Sequence, residues 1–208
     1  NWINVGSDFE ISIKDLAEKI SKIANFKGKI IWDRNKPDGT ARKKLDTSYI
    51  NNLNWRARTN LDQGIRSAVD SYKKQLNLLR EKSDKIQNKP KVYFEEWDHP
   101  TFSGIRWVSE LIEIAGGEDI FANKSHGKLA MEREIQWSDV TEKNPDIILA
   151  SWCGKPVDID SIKKREGWNQ ITAIKNNRIH EIDSSIILQP GPACLTDGLK
   201  AIESLIRD

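Results

Sequence analysis

Beyond Asn88-Lys-Pro90 the sequence alternates short apolar runs with segments of helical period, and this alternation constrains the fold more than any other feature. Lys91–Glu96 reads as a strand, Gly104–Ala115 as a helix stopped by Gly116-Gly117, and Trp137–Asn144 as a short helix ending before Pro145. Asp146–Ala150 (DIILA) is a buried strand, Ser161–Asn176 is helical with a break at Gly167, Arg178–Ile182 is a further strand, and Gly198–Ile206 lies in a closing helix. Strands separated by helices predict an α/β fold: a mainly parallel sheet with helices on both faces.

In such a sheet, ligands sit outside the carboxyl ends of the strands. Those ends read Glu95-Glu96-Trp97, Ser151-Trp152-Cys153 and Ser184-Ser185, so two large aromatics and several polar groups converge on one edge. Flat indole rings with few rotatable bonds suit a large planar ligand, and Trp97 and Trp152 are expected to form an open aromatic shelf. Glu95 and Glu96 are strand neighbours that point to opposite faces, which argues against paired acid/base chemistry. Asp98 with His99 supplies only two adjacent donors, and His126 and His180 stand in no ligand spacing, so no metal centre is expected. Trp107 suits core and pocket equally, while Trp137 and Trp168 are expected to cover the sheet. Gln189-Pro-Gly-Pro192 fixes a loop near the third strand end. Cys153 and Cys194 lack a CxxC or Cys/His spacing and read as buried thiols or, in an oxidising compartment, a disulfide.

The first part of the chain differs in charge. Residues 1–88 carry 18 Lys and Arg against 11 Asp and Glu, whereas residues 89–208 carry 15 against 20. The cations of the basic half are scattered and no recognition motif accompanies them, so nucleic-acid binding is not expected. Ser12-Ile-Lys-Asp15 resembles a capping box with a short acid, and Ile13, Leu16, Ala17, Ile20, Ile23 and Ala24 follow helical spacing as one buried stripe. Lys29–Trp32 is a strand candidate, and a second amphipathic helix begins near Leu61. Between them, residues 33–46 form a Pro/Gly-punctuated loop. It reads either as a solvated connector or as a diphosphate cradle in which Lys36, Arg42 and Lys43 meet an anion and Asp38 and Thr40 bond a sugar or base. No apolar run approaches the roughly 20 residues that cross a bilayer, and NWINVGSDFE has neither a basic n-region nor an apolar h-region. The cytoplasm is therefore the expectation for the chain as written.

Two resemblances follow. NVGSDFEISIKDLAEKI, WDRNKPDGTARKKLD, LNWRART and LDQGIRSAVDSYKKQL, over about residues 2–76, look like the C-terminal portion of the GDP-L-fucose synthases, NADP-dependent epimerase/reductases of the extended short-chain dehydrogenase family. The resemblance implies a small α/β substrate subdomain that holds a GDP-sugar; it departs at Ala41 and Lys44. No GxGxxG stands between a strand and a helix and no Tyr-x-x-x-Lys occurs, so no catalytic residue is assigned and no catalysis is expected from the chain as it stands. NADP enters only if a separate Rossmann domain complements this part. VYFEEWDHPTFSGIRWVSELIEIAGGEDIF, NPDIILASWCGK, REGWNQITAIKNNRIHEID and IILQPGP look like the C-terminal, Rossmann-like lobe of a periplasmic cobalamin- or ferric-siderophore-binding protein of ABC importers. That resemblance implies ligand-facing roles for Trp97, Phe102, Trp152 and Gln189, which Cys153 joins from the same strand end, and a transporter-docking acid at Asp139. The expected organisation is thus a GDP-sugar-binding subdomain at 1–80, a helical linker at 81–89, and a corrinoid- or iron-chelate-binding lobe at 90–208, with self-association through the open pocket face.

Overall fold

The computed structural model describes residues 2–42, 44–189 and 191–207 and divides into two compact units, Asn1–Lys74 and Gln75–Asp208.

In the first unit, α1 (Ile13–Ala24) starts where the Ser12 hydroxyl accepts the Asp15 amide at 3.0 Å. The same hydroxyl donates to the Asp15 carboxylate at 2.7 Å, which is as far back as the short acid reaches. Asn25, with φ 57°, closes the helix. The expected buried stripe is corrected: Ile13 is 73% exposed and Ile20 41%, and no residue of α1 is buried. Lys29–Trp32 is not a strand. A short α2 (Ser48–Asn52) carries Ile50, the sole buried hydrophobic among the unit's described residues. A longer α3 (Leu61–Ser83) opens on reciprocal amide caps, Gln63 N–H to Asn60 Oδ1 at 2.9 Å and Asn60 N–H to Gln63 Oε1 at 3.3 Å. Lys19 ties α1 to its first turn through Asp62 at 2.6 Å.

The second unit takes in the last turns of α3, whose Leu76 and Leu79 pack into its core. Its sheet contains β1 (Lys91–Asp98), β2 (Thr101–Ser103), β3 (Glu118–Asp119), β4 (Ile147–Ala150) and β5 (Ile179–Glu181), in the order β2-β1-β4-β5 with β3 also paired to β1. The β1–β3, β1–β4 and β4–β5 pairings are parallel; only β2 runs antiparallel. The register sets Val92 against Ile147, Glu95 against Ala150, and Ala150 against Glu181. The expected α/β fold with a mainly parallel sheet is therefore the observed one.

Alternation along β1 sends successive side chains to two cores. Val92 and Phe94 join Ile147, Leu149 and the apolar faces of α4 (Arg106–Ala115) and α9 (Leu199–Arg207). Tyr93 joins Ile148, Ala150, Ile162 and Trp168 beneath α5 (Trp137–Lys143) and α6 (Ile159–Lys163). Each fully buried Ile, Leu or Phe stabilises by about 1.5–3 kcal/mol. Gly116, at φ 102°, terminates α4 in a left-handed conformation that glycine adopts at little cost. The helical reading of 161–176 resolves into α6, one 3₁₀ turn at Trp168–Gln170 and α7 (Thr172–Lys175), because Gly167 at φ 78° breaks the path. Ser184-Ser185, expected as a strand tip, instead opens α8 (Ser184–Ile187), with the Asp183 carboxylate accepting the Ser185 amide at 2.8 Å.

Candidate functional site

The carboxyl ends of β1, β4 and β5 meet at one edge, and the consecutive acids of β1 anchor it from opposite faces. Glu95 is fully buried and receives Arg165 at two points, 2.5 and 2.9 Å. The Trp152 indole donates to the same carboxylate at 3.1 Å and the Tyr93 hydroxyl at 3.0 Å. Burial, then the Glu95 charge, raises the Tyr93 phenol well above its usual range, so it stays a donor. The Arg165 guanidinium also lies over Trp168 and Trp137, at 4.6 and 4.9 Å from the ring centroids. On the other face Glu96 takes Arg133 at 2.6 and 2.9 Å and accepts the Ile105 amide at 3.0 Å, seating the start of α4. Glu95 and Glu96 thus face opposite sides of the strand, as expected of neighbours, and each is held by its own arginine.

Trp97 and Trp152 lie at the adjoining ends of β1 and β4, and a single lysine lies against both. Lys155 Nζ is 4.6 Å from the Trp97 ring centroid and 4.7 Å from that of Trp152, and it pairs with Asp98 at 2.9 Å. Burial pushes the Asp98 carboxyl up, but the hydrogen bond and charge of Lys155 and the His99 amide bring it net below its ordinary value. The open shelf is corrected. Trp152 is only 3% exposed, packed within the Tyr93–Trp168 core with its N–H held by Glu95, and Trp97 is half-buried with its N–H on the His99 carbonyl at 3.1 Å. A shallow cavity of about 350 Å³ remains at this edge, lined by Trp152, Gly154, Lys155, Pro156, Glu181, Asp183 and Ser184.

The other ligand-facing expectations scatter. Phe102 is half-buried on β2, paired across from Trp97. Cys153 is exposed and Cys194 buried, and both are free thiols, so the disulfide alternative is not realised. Gln189 is exposed and does not line the cavity, and Pro190 lies outside the described residues. Sequence reasoning missed Lys155 and Arg165. The turn after β4 was legible only as far as Cys153, yet a basic residue three positions past a strand-end tryptophan is itself a signal. Among the described residues no three His, Cys, Asp or Glu side chains gather as a metal site.

Asp139 is half-buried and accepts the Gln136 amide at 3.1 Å, capping α5. It borders a separate hollow of about 210 Å³ with Phe121, Asn123, Lys124, Glu142 and Lys143.

In the first unit, a cavity of about 540 Å³ is lined by Asp8, Arg42, Lys44, Leu45, Asp46, Thr47, Ser48 and Asn51. Arg42 is held by Glu10 at 2.7 and 2.6 Å. The Thr47 hydroxyl, then the Asn51 amide and the charges of Lys44 and Arg56, lower the Asp8 carboxyl; Ser48 lowers that of Asp46 through its hydroxyl and its amide. Lys36, Asp38 and Thr40 are exposed and do not line this cavity, so the five-residue cradle is not assembled as expected; Lys43 lies outside the described residues.

A family model described as periplasmic binding protein matches residues 59–186. The chain is 26% identical over 132 residues to an uncharacterized ABC transporter substrate-binding lipoprotein, YvrC, of Bacillus subtilis, covering 59% of this chain and 40% of the relative. It is 44% identical over 71 residues to probable GDP-L-fucose synthase 1 of rice, covering 34% of this chain and 21% of that enzyme. The crystal structure of a possible iron-binding periplasmic solute-binding protein from Staphylococcus epidermidis superposes with a TM-score of 0.59 at 24% identity, over 71% of this chain and 56% of that one. The chain thus spans between about a fifth and just over half the length of these relatives.

Proposed function

This chain belongs to the periplasmic binding protein family through residues 59–186, and on that premise we propose that its second unit is the ligand-binding lobe of an ABC-importer substrate-binding protein. The ligand is a large chelate, a corrinoid such as cobalamin or a ferric chelate, seated on the strand-end edge at Trp97, Trp152 and the cavity beside Lys155. The observation that carries this reading is the position of Trp97 and Trp152 at the ends of adjoining parallel strands, where ligands of open α/β sheets bind. The iron-binding description of the Staphylococcus neighbour supports the ligand class. Asp139 is the acid offered to transporter arginines, and such a lobe works outside the cytoplasm. Ligand pockets bury most of a ligand's surface, so a lobe acting as one wall binds weakly. Cyanocobalamin and a ferric chelate, each titrated to high micromolar concentration, should quench tryptophan fluorescence; a flat signal with both sinks the proposal.

A second reading concerns the first unit, and the identity to the rice enzyme over 71 residues favours it. Here the chain is a fusion, and the basic side of the cavity at Arg42 and Lys44 holds the diphosphate of a GDP-sugar. GDP should shift the backbone amides of Arg42 and Lys44, and unmoved signals remove the idea. NADPH with a GDP-keto-sugar should give no turnover without an added Rossmann domain.

A further inference from the structure

Lys155 occupies a place that the chemistry of the strand-end edge reserves for a cation. Both indole N–H groups are committed, Trp97 to the His99 carbonyl and Trp152 to Glu95, so what these rings offer Lys155 is their faces. The negative quadrupole of an indole face attracts ammonium groups, and two such faces with a carboxylate against the same ammonium make a partial aromatic cage. The Lys155 ammonium fills it, 4.6 and 4.7 Å from the two ring centroids and 2.9 Å from Asp98.

The surrounding charge has the same sense. Glu181 and Asp183 line the adjoining cavity, and Lys155 is the single cation among its described lining residues. Glu181 accepts the Val157 amide at 3.1 Å and Asp183 the Ser185 amide at 2.8 Å, and neither bond removes the negative charge. An anionic ligand group entering here meets three carboxylates, counting Asp98, against one lysine already paired. Lys155 stands in an exposed turn beside Gly154 at φ 79°, on a four-carbon stem that can carry its head away into water.

We infer that Lys155 is an internal stand-in for a cationic group of the ligand: the cage of Trp97, Trp152 and Asp98 takes an ammonium-bearing ligand, whose arrival expels the lysine. The inference rests on reading this edge as the ligand site, and it sets the ligand's charge where that reading sets only its size. Lys155 thereby acts as a specificity residue that weakens every ligand lacking a cation able to replace it.

Tetramethylammonium is the minimal probe, titrated into the full chain and into Lys155→Met while the indole N–H signals of Trp97 and Trp152 are followed by NMR. In the variant both signals should shift with a midpoint about tenfold lower than in the parent chain, and Asp98→Asn added to it should raise that midpoint again. Equal midpoints, or no shift in Lys155→Met, overturn the inference. A parallel arm compares a cationic ferric trihydroxamate with anionic ferric citrate. Tighter binding of the trihydroxamate in Lys155→Met supports the cage; loss of citrate binding in that variant makes Lys155 the ligand's own partner and overturns it. Should neither chelate bind while tetramethylammonium still shifts both indoles, the cage stands and the chelate reading alone falls.

Discussion

Glu95 and Arg165 form a two-point ion pair inside the second unit, with the carboxylate fully buried and the guanidinium lying over two tryptophans. Four donors converge on Glu95 from Tyr93, Trp152 and Arg165, which joins β1, the end of β4 and the segment after α6. Removing the cation leaves a buried charge without compensation, which costs about 3–5 kcal/mol. Arg165→Met should therefore lower the unfolding free energy measured in urea by that amount, and Glu95→Gln in the same chain should restore part of it. If Arg165→Met alone costs under about 1 kcal/mol, the pair is not the anchor described.

Trp152→Phe isolates one of these donors. It keeps most of the apolar area but withdraws the N–H from Glu95. Leaving a buried acceptor with one partner fewer costs about 1–3 kcal/mol. Trp97→Phe, whose lost N–H served an exposed carbonyl, should cost under about 1 kcal/mol by the same urea measurement. Equal losses would contradict the inward role of Trp152.

Much of this architecture was legible before any coordinates. The DIILA run could only be a buried strand, and Gly116-Gly117 and Pro145 bounded their helices because backbone chemistry acts locally. The site was legible to one residue either side of the strand ends and no further. Trp152 has the residue type and place of a ligand platform, yet its ring turns inward because Glu95, two strand positions beyond Tyr93, needs its N–H; sequence does not show that demand. Arg165 lies 70 residues from its partner, and no periodicity links them. The helix α1 failed in the opposite sense: its stripe is real, but burial needs a surface to pack on, and period alone does not supply one.

Asp119 gives a pH signature. It is 6% exposed, and its Oδ1 accepts the Phe121 amide at 3.0 Å. Burial raises its carboxyl above the ordinary 3.8, against a hydrogen bond from Ser109. A raised folded-state value means the stabilising contribution is complete below 3.8 and is lost as pH rises through the folded value. Asp119→Asn removes this titration, so the parent chain should lose stability relative to the variant as pH climbs from 3.8 through the raised value to neutrality. Thermal midpoints of both chains across that range check it; parallel curves would mean Asp119 titrates normally.

Gly198 tests the packing between α8 and the entry to α9. A Cβ built there lies 2.4 Å from the Ile186 carbonyl oxygen and 3.2 Å from Ile187 Cδ1. Backbone oxygen cannot rotate aside as a side chain does, so Gly198→Ala should cost about 1–3 kcal/mol through forced displacement. Gly154→Ala, where nothing lies within 4 Å, should show only the cost of its φ of 79°, about 1 kcal/mol. A milder effect at 198 than at 154 in chemical denaturation would refute the close approach.

The first unit should behave as the less protected part of the chain. Among its described residues Ile50 is the one buried hydrophobic, while Phe9, Ile13, Ile31, Leu53 and Trp2 are all more than half exposed. Local opening energies follow buried apolar contact, so helical bonds over α1 have little to hold them closed. Hydrogen exchange should show α1 amides exchanging about a hundredfold faster than those of β1, β4 and α4. Because Ile13 is 73% and Ile20 41% exposed, Ile13→Lys with Ile20→Lys should change stability by under about 1 kcal/mol while reducing binding of the apolar dye ANS. Protection of α1 equal to that of β4, or a large stability loss in the double variant, would mean that this face is covered after all.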